Sequence, residues 1–174
     1  LECRRLASFF EKNNVEAGGR LIWFGNHEGR FEKAGMVDLL LVKDVLEKLG
    51  KERAISLTVL SNSRSKYNDL IAPLTIPTAY IPWKIESFSS ILEQHDVSII
   101  PCSENMFTKA KTANRVTTSL VHGLQVIADD IPSYREFTPY IHISNWEENL
   151  NYCVSGGLSN ENFNPTERNR TIIG

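Results

Sequence analysis

The sequence predicts an α/β domain in which a parallel sheet is covered by helices on both faces. Short, nearly continuous apolar runs alternate along the chain with longer segments of helical period. Such runs are typical of parallel strands that are buried on both sides, and the segments between them can cross over as helices. The 174 residues are enough for one domain of this kind. We therefore expect a single doubly wound sheet of about six strands.

Six apolar runs are interpreted as the strands of this sheet. The first, with the sequence RLIWFG, is a buried strand that ends in a glycine. Their predicted ranges are 20–25, 54–61, 78–83, 96–102, 124–130 and 140–144. The polar segment at 61–73, between the second and third runs, is predicted as a loop with about one helical turn.

The segment 36–50 is predicted as the strongest helix. Gly50 is its expected C-terminal stop, because glycine readily adopts the conformation that ends a helix. Six apolar residues form one predicted stripe along it: Val37, Leu40, Leu41, Val45, Leu46 and Leu49.

Three further helices are predicted at 84–95, 114–123 and 145–154. The first has Ile85 on its inward side and His95 at its end, where a positive charge is favourable, so this histidine is interpreted as structural. Gly123 is expected to end the second, and Asn145 is a candidate cap of the third. The segment between Asp130 and the last strand is predicted as a short turn.

The chain divides into three predicted parts. Residues 1–19 are a linker or an amphipathic connecting helix, residues 20–154 form a Rossmann-like domain, and residues 155–174 form a loosely structured tail. The first residue is Leu1 and not methionine. We therefore expect the chain to be part of a longer protein.

Composition and charge exclude several classes of function. The net charge is −2, whereas a nucleic-acid-binding domain normally shows a strong basic excess. No apolar run approaches the roughly 20 residues that a membrane-spanning helix needs. The three cysteines are odd in number and far apart, which favours a reducing cytoplasm over a disulfide framework.

In doubly wound sheets, ligands bind beyond the carboxyl ends of the strands. Two predicted loops at that edge stand out, at 25–35 and 102–114. The first lacks the G-x-G-x-x-G dinucleotide fingerprint. Gly25 would still let the backbone approach a ligand closely, and Asn26 follows it, so both are candidates for lining a site. A flexible connection is the alternative.

The second loop carries three cations within seven residues, Lys109, Lys111 and Arg115. They precede or begin a predicted helix, whose N-terminus offers free N–H groups and a partial positive charge. Cations oppose the helix dipole at that end, so their presence favours a bound anion, with phosphate the best candidate. Asn114 lies in the same first turn. A solvated charged loop is the alternative.

Four other residues are weaker candidates for contacts to a nucleoside or a sugar. Asp129 follows the fifth strand, and Tyr134 and Glu136 come shortly after it, at the same sheet edge. Trp83 follows the third strand, where an aromatic ring can stack on a base. The alternatives are a surface acidic pair, a helix cap and a packed edge residue. No spacing of His, Cys, Asp or Glu matches a metal site, so no metal or other cofactor is expected.

The run K-x-x-N-R-x-x-x-x-x-x-x-G-x-x-V-I-A at 111–128 resembles the C-terminal domain of GT-B glycosyltransferases. WFGN with a later glycine, YIPW and DVSIIPC resemble other parts of the same domain. The resemblance implies that the chain binds a nucleotide-diphosphate sugar, without a metal. It implies that Arg115 holds the diphosphate with help from Lys109 or Lys111, and that Gly25 and Asn26 lie near the phosphates or the transferred sugar. It also implies that residues 81–84 approach the nucleobase.

The resemblance also implies an incomplete catalytic unit. In this family an N-terminal domain binds the acceptor, so the chain would be the donor half of a hexosyltransferase of polysaccharide or glycan synthesis, and membrane contact would belong to the other half. Many members hold the ribose with a glutamate where this sequence has Thr118. Glu136, or one of the pair Asp129 and Asp130, is then the candidate substitute. A degenerate or non-enzymatic binding or regulatory module, and a sugar-nucleotide epimerase of the same fold, are the alternatives.

Overall fold

A computed structural model describes residues 1–25, 34–106 and 110–156 of the chain. Its centre is a six-stranded sheet in the order β3-β2-β1-β4-β5-β6, in which every neighbouring pair is parallel. The strands are β1 Arg20–Gly25, β2 Ser56–Ser61, β3 Thr78–Pro82, β4 Val97–Ile100, β5 Gln125–Ala128 and β6 His142–Ile143. The predicted doubly wound parallel sheet is confirmed, and the order reverses direction between β1 and β4.

Six α-helices and two 3₁₀ helices lie around the sheet in the described part of the chain. The α-helices are α1 Glu2–Lys12, α2 Lys43–Glu52, α3 Arg64–Leu70, α4 Ile85–Leu92, α5 Asn114–Val121 and α6 Trp146–Val154. The 3₁₀ helices are Met36–Val42 and Pro132–Phe137. The segment predicted as a loop at 61–73 thus holds α3, which Ser63 caps by accepting the N–H of Lys66.

Both faces of the sheet are buried, as the apolar runs predict. Along β1, Leu21 and Trp23 point into one core with α2, α3 and α6. Ile22 and Phe24 point into the opposite core with α1 and α4. This alternation follows from the two-residue period of a strand. A third cluster joins α5 and the second 3₁₀ helix to β4 and β5.

The first helix is part of this packing. Leu6, Phe10 and Val15 from the first 19 residues are buried in the core that α4 also covers. The segment predicted as a linker or connecting helix therefore contributes α1 to a helix layer. Of the predicted tail, residues 157–174 lie outside the described part of the chain.

The prediction for 36–50 was wrong in its helix type and in its buried stripe. The first seven residues form the 3₁₀ helix, whose period of about three residues per turn places Met36, Leu39 and Val42 in the core. Leu41, which a 3.6-residue period places inward, is 59% exposed. Gly50 also does not end the helix, which continues to Glu52.

Gly50 is instead a point of close packing. A Cβ atom at this position would lie 2.3 Å from Cγ2 of Ile76.

Two other local predictions were wrong: Ile85 is exposed rather than inward, and the side chain of Asn145 makes no cap hydrogen bond to α6. Gly123 does follow α5 with a φ of +76°, as expected for a glycine that ends a helix.

His95 is a buried, neutral histidine that links α4 to β2. Its Nδ1–H donates to the carbonyl oxygen of Ile91 at 2.7 Å, so Nε2 is free to accept the hydroxyl of Thr58 at 2.8 Å. Burial lowers the pKa of His95 to about 4. Its structural role agrees with the prediction, but the reason differs, because the imidazole carries no charge that could interact with a helix end.

Candidate functional site

The candidate site lies at the reversal point of the strand order. β1 pairs with β4 only at Leu21 and Ile22, so the last three residues of β1 diverge from β4 and leave a crevice. A cavity of about 290 Å³ occupies this crevice at the carboxyl edge of the sheet. The described residues that line it are Trp23, Gly25, Gly35, Lys111, Thr112, Asn114, Arg115 and Tyr134. We call it the cationic cavity.

Arg115 is the central charge of the cationic cavity. It is the second residue of α5, where side chains point back toward the helix N-terminus, and it is half-buried. Its guanidinium carbon lies 5.8 Å from the centre of the Trp23 ring. Within the described ranges no Asp or Glu carboxylate lies within ion-pair distance of Arg115. A half-buried cation without a counter-charge is a favourable place for an anion.

Lys111, in contrast, has a carboxylate partner that the sequence did not predict. Its Nζ lies 3.6 Å from Oδ2 of Asp38, whose side chain is 2% exposed. Asp38 also accepts the N–H of Gly35 at 3.0 Å and the N–H of Ser103 at 3.3 Å. One buried carboxylate thus joins the end of the first loop to the loop that follows β4.

The N-terminus of α5 opens onto the same cavity. Its cap position is Ala113, which has no side chain that could accept a hydrogen bond from the first turn. The free N–H groups there add a partial positive charge to those of Lys111 and Arg115. Asn114, the first residue of the helix, is exposed and borders the cavity. Free N–H groups and positive charge of this kind are typical of phosphate sites in proteins.

Tyr134 and Cys102 form the buried side of this arrangement. Tyr134 is fully buried, lines the cavity, and its hydroxyl has no hydrogen-bond partner of ordinary geometry. Burial raises the pKa of Tyr134 to about 12, against the opposing effect of the nearby Arg115. Burial likewise raises the pKa of the Cys102 thiol, against the charges of Arg115 and Lys111. Both groups are therefore neutral near pH 7 and leave the positive charge of the cavity in place.

A second cavity of about 480 Å³ adjoins the first. Its lining is largely aromatic, and we call it the aromatic slot. The residues that line it are Phe24, Gly25, Asn62, Trp83, Phe88 and Asn114. The rings of Phe24 and Phe88 meet edge to face at 5.4 Å, and Trp83 lies 6.1 Å from Phe88 while remaining 48% exposed. An exposed indole beside an apolar slot can stack on a flat ligand.

Of the four weaker candidates for nucleoside or sugar contacts, Tyr134 lines the cationic cavity and Trp83 lines the aromatic slot, whereas Asp129 and Glu136 line neither. Both carboxylate oxygens of Asp129 already accept hydrogen bonds at 2.8 Å, one from the N–H of Cys102 and one from the indole of Trp146. Asp129 borders a separate cavity of about 760 Å³ above β4, β5 and β6. Glu136 is exposed and lines none of these three cavities.

The remaining candidates fall in two groups. Asn26 and Lys109 lie outside the described residues, so their predicted phosphate contacts stay predictions. Arg115, Lys111, Asn114 and Gly25 do come together at the cationic cavity. Asp38 is the supporting residue that sequence reasoning missed. A signal was present, because it is a lone carboxylate inside the apolar run MVDLLLV.

The described residues contain neither a metal-binding cluster nor a membrane-spanning helix. No group of three or more His, Cys, Asp and Glu side chains could hold a metal ion. None of the described helices has the length and apolar character that crossing a membrane requires.

Comparison with known proteins gives a likeness in structure but not in sequence. No protein-family model matches the chain, and no curated protein matches it. A crystal structure of WaaG, a glycosyltransferase involved in lipopolysaccharide biosynthesis, has a TM-score of 0.58 and 12% identity over 87% of this chain and 42% of that chain. An α,α-trehalose-phosphate synthase (UDP-forming) from Burkholderia xenovorans, in complex with glucose-6-phosphate, has a TM-score of 0.58 and 12% identity over 98% of this chain and 41% of that chain.

A third match is a trehalose-6-phosphate protein from E. coli bound with UDP-2-fluoro glucose. It has a TM-score of 0.50 and 13% identity over 98% of this chain and 42% of that chain. The chain therefore spans less than half the length of these three proteins. Identities this low establish a common fold and no more. The chain has the fold of a C-terminal, Rossmann-like domain of GT-B glycosyltransferases.

Proposed function

We propose that this chain binds a nucleotide-diphosphate sugar as the donor half of a glycosyltransferase of the hexosyltransferase type. The sugar would pass to an acceptor held elsewhere in a longer protein, in the synthesis of a surface polysaccharide or another glycan. The three cysteines, Cys3, Cys102 and Cys153, are free thiols, which supports a cytoplasmic location as part of the same proposal.

The observation that carries the proposal is the cation of Arg115, which has no carboxylate partner among the residues that the structure describes. It lies at a helix N-terminus, on a buried indole, and at the reversal point of a doubly wound sheet, which is where such sheets bind ligands. A guanidinium can hold two phosphate oxygens at once. Lys111 and the N–H groups of α5 are the second and third donors. A diphosphate has enough oxygens to engage all of them.

The two adjoining cavities match the two ends of a nucleotide. The cationic cavity would hold the diphosphate, and the aromatic slot would hold the base against Trp83. A structural neighbour bound with UDP-2-fluoro glucose supports a ligand of this class. In transfer, the charge that develops on the leaving diphosphate would be stabilised by Arg115, Lys111 and the helix N–H groups, which are already in position.

Titration calorimetry with UDP, GDP, ADP and inorganic pyrophosphate tests the proposal. We expect at least one nucleotide to bind, and Arg115→Ala to weaken its binding by about tenfold or more, as the loss of a charged hydrogen-bonding partner predicts. Arg20→Ala is the matched control, because Arg20 also stacks on an aromatic ring but at the amino end of β1. Absence of binding at millimolar nucleotide, or equal effects of the two substitutions, contradicts the proposal.

A nucleotide-binding module without transfer activity is the second candidate. The observation in its favour is that the described residues lining the two adjoining cavities include no carboxylate. Turnover separates the candidates. A transferase releases the nucleoside diphosphate from a bound nucleotide sugar, and it does so slowly when water takes the place of the acceptor. A binding module leaves the nucleotide sugar intact over the same period.

A further inference from the structure

Asn114 stands at the junction of the cationic cavity and the aromatic slot. Only it and Gly25 belong to the described walls of both. Gly25 has no side chain, and a Cβ atom there would lie 2.8 Å from the ring of Trp23. The side chain that reaches the junction is therefore that of Asn114.

The carboxamide of Asn114 has no hydrogen bond to any other described residue. It is also exposed at the first position of α5, where it does not cap the helix. A carboxamide offers both N–H donors and an oxygen acceptor, so it can pair with a hydroxyl group in either direction. The fold itself makes no visible use of this capacity.

The chemistry on either side of the junction sets what a ligand must carry there. One side is cationic and suits phosphate, and the other is aromatic and suits a base. In a nucleotide the segment between those two groups is the ribose, which carries neighbouring hydroxyls. No Asp or Glu is found among the described residues of the two walls, so these hydroxyls have no carboxylate partner there.

Resting on the proposed function, we propose that the Asn114 carboxamide binds the ribose hydroxyls and makes the site select ribonucleotides over 2′-deoxyribonucleotides. Asn114 is then a specificity-determining residue, distinct from the cations that supply most of the affinity. The affinity for pyrophosphate, which has no ribose, should depend little on it.

The test measures the Kd of UDP, GDP and ADP, each beside its 2′-deoxy counterpart, together with that of inorganic pyrophosphate. For the intact chain we expect the ribonucleotide to bind about fivefold more tightly than its deoxy form, the effect of one neutral hydrogen bond. In Asn114→Ala this preference should fall to about one, while the Kd of pyrophosphate changes by less than about twofold. Alanine is the best helix former, so the variant should fold.

Asn68→Ala is the matched control, because Asn68 is an exposed asparagine in α3 that lines neither cavity. A preference that persists in Asn114→Ala, or that disappears instead in Asn62→Ala, overturns the assignment while leaving the proposed function intact. If pyrophosphate binds and no nucleotide does, the proposed function itself fails and this inference fails with it.

Discussion

The buried carboxylate of Asp38 lies 3.6 Å from the ammonium of Lys111, and it also accepts two backbone N–H groups from separate loops. Three segments around the cationic cavity thus converge on one side chain. The pair leaves Arg115 as the cation of the cavity that has no carboxylate partner in the described part of the chain.

Replacing Asp38 by asparagine should destabilise the fold. An amide has one oxygen instead of two, so either the Gly35 or the Ser103 N–H, both of which are partly buried, loses its acceptor. We expect a loss of about 1–3 kcal/mol in the free energy of unfolding, measured by urea denaturation. Asp69→Asn is the control, because Asp69 is exposed on α3 and should change stability by less than about 0.5 kcal/mol. Equal effects of the two substitutions would contradict this role for Asp38.

Replacing Trp83 by alanine should weaken nucleotide binding without affecting pyrophosphate. Stacking of a base on an aromatic side chain contributes roughly 1–3 kcal/mol, which corresponds to a loss of about 5- to 150-fold in affinity. Trp83 is 48% exposed, so the fold should tolerate the change. Tyr152→Ala is the control, as Tyr152 is 45% exposed on α6. Calorimetry that shows an equal loss for pyrophosphate and nucleotide would place the base elsewhere.

Replacing Gly50 by alanine should destabilise the protein even though alanine favours helices. The helix preference alone would stabilise α2 by about 0.5–1 kcal/mol. The added Cβ would lie 2.3 Å from Cγ2 of Ile76, which is buried, and such overpacking costs about 1–3 kcal/mol. Packing therefore wins over propensity.

A double-mutant cycle checks this reason. In an Ile76→Ala background the obstructing methyl group is absent, so Gly50→Ala should become neutral or stabilising in thermal or urea unfolding. If Gly50→Ala is equally destabilising in both backgrounds, the contact with Ile76 is not the cause.

The free energy of unfolding should fall as the pH is lowered, because His95 is protonated more easily in the unfolded chain than in the folded one. Its pKa is about 4 in the folded chain, because of burial, whereas an unfolded histidine titrates near its ordinary value of about 6.5. Below that ordinary value the unfolded chain binds a proton that the folded chain does not, so stability is lost progressively between about pH 7 and pH 4. The shift corresponds to a loss of at most about 3 kcal/mol.

To test this, the stability of the intact chain and that of His95→Gln are compared by urea unfolding at several pH values. The charges near His95 are those of Arg20, which also lowers its pKa, and of Asp96, whose own pKa burial raises. The raised pKa of Asp96 works in the opposite direction, since its folded form holds its proton more tightly. Both groups remain in the variant, so its stability should vary less with pH than that of the intact chain. Parallel pH profiles would exclude His95 as the source.

The sheet could be predicted from the sequence because its strands are buried on both faces and read as apolar runs. All six were found, and the first was found with its observed ends. The segment at 36–42 shows where pattern reasoning failed. MVDLLLV fits both a 3.6-residue and a 3-residue period, and only packing against the sheet selects the 3₁₀ form.

The candidate site, like the fold, was predicted only in part from the sequence. Arg115 and Lys111 could be assigned from local rules, because a cation at a helix N-terminus conflicts with the dipole wherever the helix lies. The residues that contact these two cations could not be assigned from the sequence. Asp38 contacts Lys111 and Trp23 contacts Arg115 from two different elements, and no rule of spacing connects them; Tyr134 was a candidate, but for a nucleoside or sugar contact. Asp129 likewise resembled a sugar ligand until its contact with the indole of Trp146 was visible.

The Arg115 cation, which has no carboxylate partner in the described ranges, has a practical consequence for the binding measurements proposed above. A cation with no carboxylate partner takes its counter-ion from the medium. Phosphate, sulfate and citrate buffers would then compete with the nucleotide. The Kd measured in them would be too high, and the more so the larger the fraction of cavities that the buffer anion occupies. The protein should therefore be purified and titrated in a buffer without multivalent anions. Repeating the titration at several phosphate concentrations would then measure how tightly the cavity binds phosphate.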